Sequence, residues 1–188
     1  MSNYIMICDL NNTNWGNIKD GVQKYLLIMQ LVKTSNVYTN EEFQRIFNGF
    51  YRIRQRSKEF YTALYEYLEH NKNTEISFEQ TLAFFHQKFQ RFEPSFSSKI
   101  VATINPNFPV WDSEVLARLN LKTPNLNLAT EVRFKRMVKI YDDIVSWYSD
   151  FLNTDQAKNM IKTFDEKIGT LNITDIKKVD LILWQTRS

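Results

Sequence analysis

Apolar residues recur at intervals of three and four along almost the whole chain, and this spacing most narrows the folds open to it. Val22, Tyr25, Leu26, Met29 and Val32 share one face of a helix predicted over 17–33. Thr39-Asn40-Glu41-Glu42 is a capping box, Thr to Glu at three residues. It opens a helix running to about Arg54, with Phe43, Ile46, Phe47, Phe50 and Ile53 inward. A third helix fits 58–71 around Phe60, Leu64, Tyr67 and Leu68. Ser77-Phe78-Glu79-Gln80 is a second capping box, and Phe78, Leu82, Phe85 and Phe89 form the stripe behind it. The longest pattern covers 130–152, and another covers 155–168, closed by Gly169 as C-cap. Thr174 caps a last helix carrying Ile176, Val179, Ile182, Leu183 and Trp184. No stretch alternates as a strand would, and the chain holds only 4 glycines. The expectation is an all-α domain of eight or nine helices spanning 1–188. If it has two lobes, they meet near 95–115.

One stretch breaks the pattern. Ser95-Phe96-Ser97-Ser98-Lys99 leads into a short apolar helix, and Asn105-Pro106 ends it, because the residue before proline is pushed out of the α region. Pro109-Val110-Trp111 reads as extended, and Asp112 takes the N-cap position of the next helix. An amine and a carboxylate thus stand 13 residues apart across a single turn.

This layout resembles the helix-hairpin-helix base-excision DNA glycosylases, in particular the 8-oxoguanine branch, over about 20 residues. In that superfamily a Gly-hydrophobic-Gly-x-Lys hairpin opens a helix and a Val-Asp follows after a turn. Here Ser95-Phe96-Ser97-Ser98-Lys99 stands in the hairpin's place and Pro109-Val110-Trp111-Asp112 in the carboxylate's. Serines replace the glycines, and the Lys-to-Asp interval is several residues shorter. The stretch, with Lys177-Lys178-Val179-Asp180 to Trp184-Gln185, also resembles bacterial proteins described as having an 8-oxoguanine-glycosylase-like fold.

The resemblance implies a DNA glycosylase with abasic-site lyase activity and no cofactor. Lys99 would attack C1′ of a flipped-out nucleotide and form a Schiff base. A helix start and partial burial would both lower its pKa. Asp112 would steady the developing positive charge. Ser95, Ser97 and Ser98 would offer amides and hydroxyls to a DNA phosphate. Asp180 and Trp184, four residues apart on the last helix, would line the base pocket. Each residue also has a plainer reading: solvated lysine, N-cap aspartate, capping serines, core tryptophan beside a paired aspartate. A non-catalytic nucleic-acid or protein binding module of the same fold, or a helical interaction protein, would need only these.

Composition sets outer bounds. Hydrophobic content of 43% and aromatic content of 14% place the chain among globular proteins. Its 24 basic and 21 acidic residues leave a net charge of +3, which permits a nucleic-acid partner without requiring one. Basic runs stand at Arg133, Lys135, Arg136 and Lys139, and more densely at Arg45, Arg52, Arg54, Arg56 and Lys58. Arg133 and Arg136 are the expected phosphate contacts on the longest helix. Cys8 is the only cysteine, so no internal disulfide and no four-cysteine iron–sulfur cluster can form. With two histidines, no metal site is expected. Tyr4-Ile5-Met6-Ile7-Cys8 is too short to span a bilayer and has no basic leader, so a cytoplasmic protein without a membrane partner is expected.

Overall fold

A computed structural model describes Leu10, Asn11 and residues 13–185. The apolar run from Tyr4 to Cys8 therefore lies outside the described residues. The described residues form an all-α fold of nine helices without strands. In order these are α1 (Trp15–Thr34), α2 (Glu41–Phe50), α3 (Lys58–Asn71), α4 (Phe78–Phe89), α5 (Pro94–Ile104), α6 (Ser113–Arg118), α7 (Thr130–Phe151), α8 (Asp155–Ile168) and α9 (Asp175–Gln185). Among the described residues no helix is long and apolar enough to cross a membrane, and no group of three His, Cys, Asp or Glu is placed to hold a metal ion.

Most helix starts carry a side chain that takes an orphan backbone N–H. Ser77 and Gln80 form the reciprocal capping box, with 3.0 and 2.9 Å bonds. Asn14, Ser57 and Thr154 cap α1, α3 and α8 in the same way. Two predicted boundaries move. The cap of α2 is Asn40 rather than Thr39: Asn40 Oδ1 accepts the Phe43 N–H at 2.9 Å, while the Thr39 hydroxyl turns back to the Asn36 carbonyl. That helix also stops at Phe50, short of Arg54. Arg52 takes a left-handed conformation (φ 54°), and the Ile53 N–H reaches back to the Asn48 carbonyl at 2.9 Å. This is the long bond of a Schellman motif, with arginine where glycine is usual.

Two apolar cores share the helices. One gathers the start of α1 with α6 to α9: Ile18, Val22, Trp111, Tyr141, Ile144, Tyr148, Phe164 and Ile182. The other gathers the end of α1 with α2 and α3: Ile28, Phe43, Phe47, Leu64, Tyr65 and Phe96. α5 belongs to both, with Val101 in the first and Ile100 and Ala102 in the second. Val110 and Trp111 divide the same way, while Phe50 and Trp184 pack against both cores. The cleft described next opens along this seam.

Candidate functional site

The cleft has a volume of about 280 Å³, the lower end of small-ligand sites. Its walls are α1 (Asp20, Gly21, Lys24), the end of α2 and the turn after it (Phe50, Tyr51, Arg52), Lys99 of α5, Asp112, and α9 (Trp184, Gln185). Lys99 and Asp112 therefore face one open space. Trp184 stands 5.5 Å from Phe50 and 6.4 Å from Tyr51, centroid to centroid, and the three rings make an aromatic wall.

Lys99 is the sixth residue of α5, in its second turn. Its ammonium lies 5.0 Å from the Phe96 ring centroid and 5.9 Å from that of Tyr51. Among the described residues no carboxylate comes within 4.0 Å of it. Burial pulls the Lys99 amine down from its ordinary 10.5 to about 8; Asp112 and Glu93 oppose this and Arg56 adds to it. Of the two causes expected, burial is the larger one here, since Lys99 lies in the second turn and the dipole acts mainly within the first.

Asp112 caps α6, its Oδ1 accepting the Glu114 N–H at 2.9 Å. The hook before it is tied down at three points. The Tyr141 hydroxyl donates to the Pro109 carbonyl at 2.9 Å, and Thr174 donates to the Pro106 carbonyl at 2.8 Å. The third tie is the closest to the pair: the Trp111 N–H donates to Ser98 Oγ at 2.8 Å. Ser98 immediately precedes Lys99 and Trp111 immediately precedes Asp112. One hydrogen bond thus ties together the residues that directly precede the amine and the carboxylate.

The serines do not act as predicted. α5 begins at Pro94, so 95–98 form its first turns and not a hairpin. Ser97 and Ser98 are 0% exposed. Ser97 donates to the Glu93 carbonyl at 2.9 Å and Ser98 to the Ser95 carbonyl at 3.0 Å, so neither hydroxyl can meet a phosphate. Ser95 is half-buried in the same turn. The turn joining α4 to α5 is 90–93, with Gln90 left-handed (φ 54°). It ends on the buried Glu93 carboxylate, which pairs with Arg56 and Arg91. A carboxylate already stands at that helix start, where an incoming anion would bind.

The remaining predicted residues separate. Trp184 lines the cleft, and its indole N–H is buried without a hydrogen-bond partner. Asp180 does not reach the cleft. It is 0% exposed, bonded by Lys177 Nζ at 3.0 Å and by the Tyr148 hydroxyl. Arg133 and Arg136 lie on α7, which contributes nothing to the cleft wall. The Arg133 guanidinium sits 5.2 Å over the Phe92 ring, and Arg136 is exposed. Lys135 and Lys139 of the same run pair with Glu131 and Asp143.

Lys177 was not among the predicted residues. It is fully buried, with its ammonium 5.5 Å from the Tyr25 ring and 5.3 Å from that of Trp184. Burial pulls its pKa down, but Asp180, Tyr51 and Tyr25 together outweigh burial and raise it. Its signal was present in sequence, since 177, 180 and 184 form an i, i+3, i+7 stripe. Tyr51, also missed, follows the end of α2, a boundary misplaced by several residues; Arg52 beside it belongs to the basic run already noted in the sequence.

No family model, no curated protein and no solved structure matches the chain.

Proposed function

We propose that this chain is a DNA glycosylase with abasic-site lyase activity, acting through Lys99. One observation carries the reading: a half-buried amine, its pKa drawn down to about 8 and with no carboxylate in contact, faces the same cleft as Asp112. A fraction of that amine is neutral at pH 7–8 and able to attack, which an ordinary lysine is not. Its lone pair forms the bond to C1′ as the glycosidic C–N bond breaks, and the base leaves with the bonding pair and takes up a proton. Asp112 stabilises the positive charge on the sugar and accepts the proton that the nitrogen sheds. Opening of the sugar ring gives the imine, and loss of the C2′ proton expels the 3′ phosphate. The aromatic wall of Phe50, Tyr51 and Trp184 suits a planar base.

The test is covalent trapping on an abasic or oxidised-base duplex with borohydride, which reduces the imine to a stable amine. Wild type is expected to trap, Lys99→Ala not to, and the trapping rate to rise with pH to a plateau above about 8. Equal failure of both proteins over a panel of lesions would end the enzyme reading.

A second reading, a non-catalytic nucleic-acid or protein binding module of the same fold, is favoured by the start of α5. Buried serines and the Glu93 carboxylate stand where a phosphate would have to approach. It predicts that Lys99→Ala binds DNA as wild type does while neither protein traps.

A further inference from the structure

We propose that the turn between α2 and α3 is the phosphate-binding rim of the cleft, with Arg52 and Arg54 holding the sugar–phosphate backbone of the strand whose nucleotide enters. The inference rests on the nucleic-acid part of the reading above, and not on its chemistry.

The turn carries Arg52, Arg54 and Arg56 at alternate positions, and Lys58 opens α3 two residues further on. Ile53 between the first two is buried, and both arginines are exposed. Arg52 belongs to the cleft wall itself. Its φ of 54° is a conformation that glycine adopts freely and that costs a side-chain-bearing residue free energy; Gln55 repeats it at 57°. An arginine retained at a glycine position, on the lip of a cleft, points to a use for its guanidinium.

Arg56 is the turn's anchor. Its guanidinium lies 4.7 Å over Phe96 and 5.2 Å over Phe60, and pairs with Glu93 at 3.3 Å. Phe96 is also the ring that the Lys99 ammonium faces, so the basic turn and the cleft amine are continuous. Glu93 takes Arg91 as well, leaving two guanidiniums on one carboxylate. On α7, by contrast, Lys135 and Lys139 each have an acid of their own. Asp20 and Asp112 are the carboxylates in the cleft wall, against Lys24, Arg52 and Lys99. The excess positive charge of this face therefore gathers along the turn. A lipid surface fits less well, since the turn's apolar neighbours Ile53, Phe60 and Phe96 are buried.

The experiment is fluorescence anisotropy of the full chain with a labelled duplex carrying one tetrahydrofuran abasic site, titrated from low to moderate salt. R52E/R54E is expected to weaken binding at least tenfold and to flatten the slope of log K against log[salt] by about 2, for two lost phosphate contacts. K158E/K162E on α8, an equal change of charge, is expected to shift affinity less than twofold. Arg52→Gly relieves the strained backbone, so it should weaken binding while its thermal midpoint holds or rises. An unchanged slope in R52E/R54E overturns the proposal. So does R133E/R136E carrying the slope change in its place, or selective loss of binding to phosphatidylserine vesicles with DNA binding intact. Borohydride trapping reports separately: wild type that binds through this turn but never traps loses the chemistry and keeps the rim.

Discussion

Two lysines stand on either side of the cleft's aromatic wall, Lys99 inside it and Lys177 behind it. Lys177 is fully buried and Lys99 half-buried, both beside aromatic rings, yet their pKa values move in opposite directions. The difference is the distance to a carboxylate. Asp180 touches the Lys177 ammonium at 3.0 Å, with Tyr148 holding its other oxygen, whereas Asp112 acts on Lys99 only from beyond contact range. Burial by itself makes an amine easier to neutralise; burial against a bonded carboxylate fixes it as a cation. One fold thus holds one ammonium bonded to a carboxylate and one amine without such a bond, and their pKa values part accordingly.

The comparison breaks most dramatically at Asp180. Asp180→Ala leaves the Lys177 charge buried without its partner and should cost about 3–5 kcal/mol, read by chemical denaturation. The double variant K177M/D180L, which removes both charges, should fall within about 1 kcal/mol of wild type or exceed it. If Asp180→Ala is no worse than the double variant, Lys177 is not held as a cation.

Lys99 should behave in the opposite way. Lys99→Met removes a charge that burial disfavours, so at neutral pH it should gain on the order of 2 kcal/mol. The sign follows from linkage. With a folded value near 8 and an unfolded value of 10.5, the unfolded chain binds more protons between those limits. The wild-type penalty is therefore complete below pH 8 and gone above 10.5, and the advantage of Lys99→Met should shrink across that window. Lys177, whose pKa is raised, contributes stability that is present below 10.5 and lost at higher pH, the reverse slope.

Ser98→Ala leaves the buried Trp111 N–H without its acceptor and should cost about 1 kcal/mol. If the Ser98 tie sets the spacing of Lys99 and Asp112, the pH midpoint of trapping should move with it. An unmoved midpoint would leave the bond a packing detail. The smallest stability effect is expected for Asp112→Asn, a few tenths of a kcal/mol, because asparagine caps nearly as well. Its rate of base release should nevertheless fall by ~10²-fold, the scale of one lost electrostatic stabiliser.

The helices were legible because their signals are local. Ser77-to-Gln80, Gly169 and the apolar stripes of α4, α7 and α8 act within one or two turns. The errors arise where two local options compete. Thr39 and Asn40 can both cap, and the bond from Thr39 to Asn36 decides between them. Nothing at Arg52 announces a left-handed residue, because that conformation is held by a backbone bond across the end of α2. Of the site, Lys99, Asp112 and Trp184 were readable as candidates and do share a cleft. The true work of Ser98, and the Asp180 contact with Tyr148 on α7, depend on chain segments far apart in sequence.

α5 puts Val101 into one core and its neighbours Ile100 and Ala102 into the other. A helix shared in this way removes the option of melting one half while the other keeps the cleft. Amide exchange should report it: protons of α2 and of α8 should be released by a common opening that includes α5, and Val101→Ala should quicken exchange on both sides of the seam. On that expectation the cleft lasts as long as the whole molecule does, and exchange confined to one side of the seam would overturn it.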